Sequence, residues 1–452
     1  MKKILLAISI LALWAVGNNA DAATALEFYY DSQFSPFTCS SCAVRTNDPE
    51  AVMGSLVIDR TALSGTKDFL VLGSAYINGS TNGEDVYHAL MRGAATTTGS
   101  TWNGATIGGS SGLPFASMST TTVGVESVTY NFIAAQENSG LTQISVDYSD
   151  ILALELPSSY MSAASEEQTC SGAATTEVTK LTLSFTPATT ESYLIIGHAG
   201  ITSEDWDDAG SPFFRMKVNG SNVADNQQGA GTGIEPLMMT TQTYYQTFIK
   251  VQTLESTSTQ SIALTFEGDG TSDEACMQEA RIVAIPVSAF ENSYTAEANG
   301  QTIVASLEYT NVLQIASTTL AAAKHIAFFS SGVASENGNV GGATQLVVGT
   351  TTEQASASLV NMIWEEFDED FNQWWPVTSS ISFTGAGETT SFKLRGKAGS
   401  EVSGVSLTEN KIYVFEIPTG AAAGGGAVQT PSAGTHVEIL GGTDILGGSE
   451  IK

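Results

Sequence analysis

Positive charge is scarce in this chain. Of 452 residues only 17 are Lys or Arg, against 47 Asp or Glu, giving a formal net charge of −30. A surface so acidic repels nucleic-acid phosphates and anionic lipid headgroups, which disfavours both as partners. It suits solubility in salty water or the gathering of divalent cations. Long apolar runs are scarce as well. No segment reaches the 18 consecutive apolar residues of a membrane-spanning helix, so none is expected in the mature chain.

Catalytic signatures are also missing. The four histidines, His88, His198, His325 and His436, do not occupy matching places in the chain, and none has the spacing of a metal-ligating His-Glu-x-x-His. Gly108-Gly109-Ser110-Ser111-Gly112 formally fits G-x-S-x-G. It lies in a Ser/Gly-rich stretch without the strand-to-helix context of a nucleophile elbow. No loop follows the Asp-x-Asp-x-Asp-Gly pattern of an EF-hand. The expectation is a protein that is not an enzyme.

Cysteine is limited to four residues, an even number. Cys39-Ser40-Ser41-Cys42 has no βαβ pattern around it and no second C-x-x-C to complete a zinc site, which leaves a small structural bridge. Cys170 precedes the first strand of a repeat described below and Cys276 its last. First and last strands of a sandwich lie close, so Cys170–Cys276 is the preferred pair among the three connectivities that four cysteines allow. Such bridges require an oxidising compartment. The N-terminus agrees: Lys2-Lys3, an apolar run from Ile4 to Val16, and a small-x-small site at Ala20-Asp21-Ala22 read as a cleaved secretory signal. The expected location is extracellular, at the cell surface or in a periplasm.

What the chain does contain is repetition. Arg281-Ile282-Val283-Ala284-Ile285-Pro286-Val287 echoes Asp150-Ile151-Leu152-Ala153-Leu154-Glu155-Leu156 and Lys411-Ile412-Tyr413-Val414-Phe415-Glu416-Ile417, at intervals of 131 and 130 residues. Each copy is a charged residue followed by an apolar run. Upstream, Phe69-Leu70-Val71-Leu72-Gly73-Ser74-Ala75 matches Tyr193-Leu194-Ile195-Ile196-Gly197-His198-Ala199, and His325-Ile326-Ala327-Phe328-Phe329 matches again. A period of this size means tandem domains in a row of beads or an array, and the length suggests about three of them. Residues 1–22 read as the signal peptide and 23–50 as an N-terminal strand segment. Residues 51–165, 166–295 and 296–420 read as three repeats, and 421–452 as a Gly-rich linker and tail.

Within the repeats, short alternating stretches separated by turn signals, with no βα alternation, indicate an all-β fold of three tandem sandwiches. Leu181-Thr182-Leu183-Ser184-Phe185 alternates with period two, and Asn219-Gly220 marks a tight turn after Phe213–Val218. Phe248–Val251 and Ser261–Phe266 read as a further hairpin, and Thr96–Gly112 as a polar loop or edge. Leu359, Ile363, Phe367 and Phe371, four residues apart, predict one helix that Pro376 stops. The succession Tyr193–Ile196, then Phe214–Gly220, then an alternating pair, then Ile282–Val287 resembles the jelly-roll domains of the C1q and tumour-necrosis-factor-like families. An immunoglobulin-like sandwich accommodates the same strands. Those relatives often trimerise, but three copies in one chain depart from their plan, so trimerisation is not carried over.

Candidate sites follow from composition. Trp364-Glu365-Glu366-Phe367-Asp368-Glu369-Asp370-Phe371-Asn372-Gln373-Trp374-Trp375 gathers aromatic rings and carboxylates. Trp364, Trp374 and Trp375, with Trp206 in an acidic loop of the second repeat, are candidate rings for stacking on a sugar or a partner. Asp205, Asp207, Asp208, Asp269 and Asp273 supply hard oxygen ligands that suit calcium. The same residues also read as domain caps and solvated turns. Phe28, Tyr29 and Tyr30 form an aromatic strand ahead of the first repeat, one that a neighbouring subunit's sheet edge can accept. Two functions are expected on these grounds. One is a secreted structural or adhesive protein that polymerises with itself by strand addition, and the other a secreted binder of surface glycans.

Overall fold

The computed structural model describes residues 26–33, 37–39, 51–79, 84–93, 95–96, 103–107, 112–136, 144–171, 176–203, 213–225, 244–267, 275–298, 302–306, 308–335, 342–350, 374–385, 387, 389–398 and 405–418. All belong to the compact unit Met1–Ala421. The described residues are almost entirely strand. The first repeat contains β1 (Phe28–Gln33), β2 (Phe37–Cys39), β3 (Ala51–Asp59), β4 (Lys67–Gly79), β5 (Glu84–Arg92), β6 (Ala95–Thr96), β7 (Asn103–Ile107), β8 (Gly112–Val123), β9 (Ser127–Gln136) and β10 (Ile144–Glu155). The second contains β11 (Met161–Ser165), β12 (Thr169–Cys170), β13 (Val178–Phe185), β14 (Glu191–Ser203), β15 (Phe213–Val218), β16 (Ser221–Asp225), β17 (Tyr244–Leu254), β18 (Gln260–Glu267) and β19 (Ala275–Pro286). The third contains β20 (Asn292–Ala298), β21 (Thr302–Val304), β22 (Thr310–Thr319), β23 (Lys324–Ser335), β24 (Gly342–Thr350), β25 (Trp374–Thr384), β26 (Thr389–Ala398) and β27 (Val405–Glu416).

Each repeat is a jelly roll of two antiparallel sheets. The inner sheets run β1-β10-β4-β8, β11-β19-β14-β17 and β20-β27-β23-β25. The outer sheets run β3-β9-β5-β6, β13-β18-β15-β16 and β22-β26-β24, with β7 also on β5. Every repeat opens with a strand laid against its own last strand: Phe28 opposite Leu154, Met161 opposite Ala284, Asn292 opposite Glu416. Strand pairing therefore draws the repeats earlier in the chain than the sequence boundaries do. Residues 28–39 are the opening strands of the first jelly roll, and Met161–Ser165 and the start of β20 belong to the repeat that follows them.

Three local expectations are corrected. Strands β17 and β18 do not form a hairpin. They lie in different sheets, because successive strands of a jelly roll cross between its layers. Part of the Ser/Thr/Gly stretch after Thr96 is strand β7, the polar edge partner of β5. Pro376 lies inside β25, opposite Gly332. Within the described sheet β25 has β23 as its one neighbour, and a missing N–H is tolerated on such an edge. The helix expected over 359–371 falls outside the described residues.

The inner strands explain the apolar runs. In β19, Ile282 and Ala284 enter the interior of the second jelly roll with Ile195, Phe214, Met216, Leu264 and Phe266. Val283 and Ile285, on the opposite face of the same strand, enter a different core. That second core is shared by all three repeats. Leu70, Leu72, Leu152 and Leu154 of the first, Leu194, Ile196 and Ile249 of the second, and Ile326, Phe328, Tyr413 and Phe415 of the third meet in it. A strand buried on both faces reads as continuous rather than alternating. Strands β8, β17 and β25 each pack against the other two, so the repeats close into a ring rather than a string of separate beads. Each buried Leu, Ile or Phe contributes roughly 1.5–3 kcal/mol relative to exposure, and separating the repeats would expose the 18 buried side chains of this core. The glycine of the upstream motif also has a packing reason. A Cβ at Gly73 would lie 2.8 Å from the Phe132 ring, and one at Gly197 2.9 Å from Leu264. The two sheets approach too closely there for any side chain.

Candidate functional site

The chemistry-bearing side chains of the described residues gather at one level of the ring. The charged residue that heads each apolar run, Asp150, Arg281 or Lys411, is almost fully buried, at 1%, 3% and 2% exposure. Alternation puts them on the same strand faces as Leu152, Val283 and Tyr413, toward the neighbouring repeats. Below them the shared core is apolar, and at their level it is polar.

Each charge is answered differently. Asp150 Oδ2 accepts hydrogen bonds from the backbone N–H of Ser382 at 3.1 Å and from its hydroxyl at 3.0 Å, joining the first repeat to the third. Nearby, Ser74 Oγ donates to the Ser380 carbonyl at 3.2 Å across the same boundary. Arg281 donates to Glu166 at 2.6 Å. Opposite Arg281 on β14 stands His198, whose Nδ1 lies 2.8 Å from Thr247 Oγ1 and whose ring stacks on Tyr245. Tyr245 in turn donates to Glu279 at 2.5 Å. Lys411 pairs with Glu409 at 3.2 Å and reaches the Val223 carbonyl of the second repeat at 3.5 Å.

A β-bulge precedes two of these charges. Glu279 and Glu409 both adopt φ of 48°, a left-handed conformation unusual for a side-chain-bearing residue. In the first repeat the register shifts between Val146 and Tyr148, at nearly the same place. The bulges turn a carboxylate toward the polar layer, to Tyr245 in the second repeat and to Lys411 in the third.

Electrostatics follows burial. Desolvation lowers the Lys411 ammonium's pKa, and the neighbouring Glu409 only partly restores it. Burial also lowers Lys324 and His325. Burial alone would raise Glu297, but hydrogen bonds from Lys250 and Tyr413 and the charges of Lys250 and Lys411 outweigh it and hold the carboxyl below its ordinary value. The Lys250–Glu297 pair ties β17 of the second repeat to β20 of the third. Chemically this layer fixes the neighbours of each repeat: its ion pairs and hydrogen bonds have donors and acceptors on different repeats, and its groups are buried.

The residues singled out from sequence fall as follows. Trp206, Trp364, Asp205, Asp207, Asp208, Asp269, Asp273 and Cys42 lie outside the described residues. Trp374 and Trp375 begin β25, opposite Ala334 and Val333. Cys39 ends β2, opposite Ile144. Cys170 and Cys276 are directly opposite across β12 and β19 and are joined as a disulfide.

The strand expected to serve a neighbouring subunit is corrected. Phe28, Tyr29 and Tyr30 pair with Leu154, Ala153 and Leu152 of the same chain. The physical reason is effective concentration, which favours a partner a short tether away. Phe28 is buried in the shared core. The Tyr29 hydroxyl donates to Glu27 and to the Asp59 carbonyl, and burial together with Glu27 raises its pKa. The Tyr30 hydroxyl lies 3.3 Å from Thr384 Oγ1, and Lys324 Nζ donates to the Phe28 carbonyl at 3.0 Å. The strand thus closes the ring between the first and third repeats.

Arg60, which sequence reasoning passed over, anchors that strand. Its guanidinium is 1% exposed and donates to Glu27 and to the carbonyls of Ser64, Gly65, Val123 and Gly124. The visible signal was a lone arginine between two strands of a chain poor in cations.

No family model matches the chain, and no curated protein matches it. Solved structures with some likeness include one titled for the triple jelly roll fold and turret assembly of an archaeal virus. It is 11% identical over 86% of this chain and 91% of that one, with a TM-score of 0.19. Another is the infectious bursal disease virus VP2 subviral particle, at 9% identity, 88% and 83% coverage and TM-score 0.21. A third is the CBM22-1–CBM22-2 tandem domain of Paenibacillus barcinonensis Xyn10C, at 9% identity, 56% and 93% coverage and TM-score 0.16. Superpositions of this extent carry no argument about function, and the fold rests on the strand pairing itself.

Proposed function

We propose that this chain is a secreted or cell-surface structural protein, adhesive or self-assembling, without a catalytic role. The observation that carries the reading is the shared core. Three jelly rolls spend their inner sheets on one another, leaving a rigid block whose outer sheets and loops face outward. Interiors used this way suit a building block. Secretion is part of the same reading, supported by the signal-like N-terminus and by the Cys170–Cys276 bridge, which needs an oxidising compartment. Because Phe28–Tyr30 are engaged within the chain, assembly in this reading uses the outer surfaces rather than an exchanged N-terminal strand. Calcium at the acidic loops would be an accessory to such assembly.

The test is the mass of the mature chain over a concentration series by light scattering, with electron microscopy of the same samples. Particles, layers or fibres support the reading, and a monomer at every concentration on every surface tried refutes it. N-terminal sequencing of the exported protein checks secretion, with Ala23 as the expected first residue. A second reading, glycan binding, is favoured by Trp374 and Trp375 standing adjacent at the start of an edge strand. A glycan array with wild type and a Trp374→Ala, Trp375→Ala variant separates it from the first.

A further inference from the structure

Strand β26 carries Lys393-Leu394-Arg395-Gly396-Lys397, three of the chain's 17 cations within five residues. Phe392 and Leu394 are fully buried, and a Cβ at Gly396 would strike Leu407 of the inner sheet. The intervening Lys393 and Arg395 are partly exposed. They therefore stand on the outward face of the third repeat's outer sheet, one pleat apart at roughly 6.5–7 Å.

Their surroundings differ from those of the cations on the second repeat's outer sheet. There Arg215 and Lys217 are held by the carboxylates of Glu177 and Glu267. On β26 the residues opposite are amides or apolar: Asn311 and Gln345 flank Arg395, and Gln314 and Val347 flank Lys393. Arg395 Nε donates to Asn311 Oδ1 at 3.0 Å, which aligns the guanidinium along the sheet. Asn311 and Gln314 are exposed. The face thus interleaves cations with amide donors and acceptors on a flat, rigid platform.

We propose that this face binds an anionic polysaccharide, its carboxylate or sulfate groups on Lys393 and Arg395 and its hydroxyls on Asn311 and Gln314. Arg suits such oxyanions because its planar fork donates two parallel hydrogen bonds. The chain's net negative charge does not forbid it. At physiological salt the screening length is about 8 Å, so the charges in direct register with the stripe decide. A dense polyanion such as nucleic acid would feel the acidic field more widely. The site is separate from the tryptophans and from the assembly reading, and its failure leaves both in place.

The experiment measures binding of the full mature chain to polygalacturonate, which carries carboxylates, and to chondroitin sulfate, which adds sulfates, with neutral dextran as the control. The expected result is binding of at least one polyanion, weakening as NaCl rises, and none of dextran. Lys393→Gln with Arg395→Gln should weaken binding at least tenfold while the melting temperature holds. Lys217→Gln, on the second repeat, should leave binding unchanged. The proposal is overturned if wild type binds neither polyanion at low salt, or if the double variant binds as wild type does. It is equally overturned if wild type binds no polysaccharide but self-associates in a way the double variant abolishes, since the occupant is then a second copy.

Discussion

Glu409 shows how two effects at one residue are weighed. Its left-handed backbone costs on the order of 1–2 kcal/mol, which glycine would recover. Its carboxylate, however, is the ion-pair partner of Lys411, and leaving a buried charge unanswered costs about 3–5 kcal/mol. Glu409→Gly should therefore destabilise the fold, by a net of about 2 kcal/mol. Lys411→Met fills the same space without a charge and should cost less, because the freed Glu409 is 27% exposed and reaches water. Urea denaturation of both variants checks the order, and a Glu409→Gly protein more stable than wild type would mean that strain dominates. Arg60 is the opposite case, a single side chain holding five carbonyl or carboxylate groups.

At the scale of elements, the first strand of each repeat completes its inner sheet. In the second repeat the Cys170–Cys276 bridge fastens this strand across 106 residues of sequence. Replacing both cysteines with serine should lower stability by about 2–5 kcal/mol, read as a shifted urea midpoint at unchanged slope. The first repeat's β1 has no such bridge among its described residues and is held by Arg60 through Glu27, and by Lys324 and Thr384 of the third repeat. Deleting residues 23–33 should uncover the edge of β10 and part of the shared core. The expected outcome is a lower melting temperature and more aggregation, not the loss of a polymer. A truncated chain that melts like wild type would show that β1 is dispensable to the ring.

For the whole molecule, the shared core implies that the repeats melt together. Differential scanning calorimetry of the mature chain should show one cooperative transition, and three resolved transitions would contradict the shared core. The acid limb of stability should depend on Glu177 and Glu297. For both, burial would raise the carboxyl, but the bonded lysine and nearby cations outweigh it and hold it below the ordinary 4.5. Carboxylates depressed in the folded state contribute stability that is present above 4.5 and lost as pH falls through their folded values. Glu297→Gln should flatten that limb in a melting-temperature series from about pH 3 to 6. Added NaCl should raise the melting temperature at neutral pH by screening the net charge of −30.

The sequence by itself determined the local chemistry. Period-two alternation gave the outer strands, Asn219-Gly220 gave a hairpin whose two turn residues have φ of 51° and 80°, and the three apolar runs gave a threefold repeat of one domain. The Thr/Ser-rich β8 was not legible, because Met118 is its one residue in the shared core and no pattern surrounds it. The stripe on β26 was legible as Lys-x-Arg-x-Lys, but its meaning depends on which residues stand beside it. Only the tertiary structure decided what covers the second face of the inner strands. A continuous apolar run states that a strand is buried on both sides, and the neighbour that buries it lies more than a hundred residues away. The charges heading the runs were equally visible, yet their roles were set by distant partners: Ser382 for Asp150, Glu166 for Arg281, Val223 with Glu409 for Lys411. Hydrophobic burial is non-directional, so sequence states that a face must be covered, and only packing in three dimensions selects what covers it.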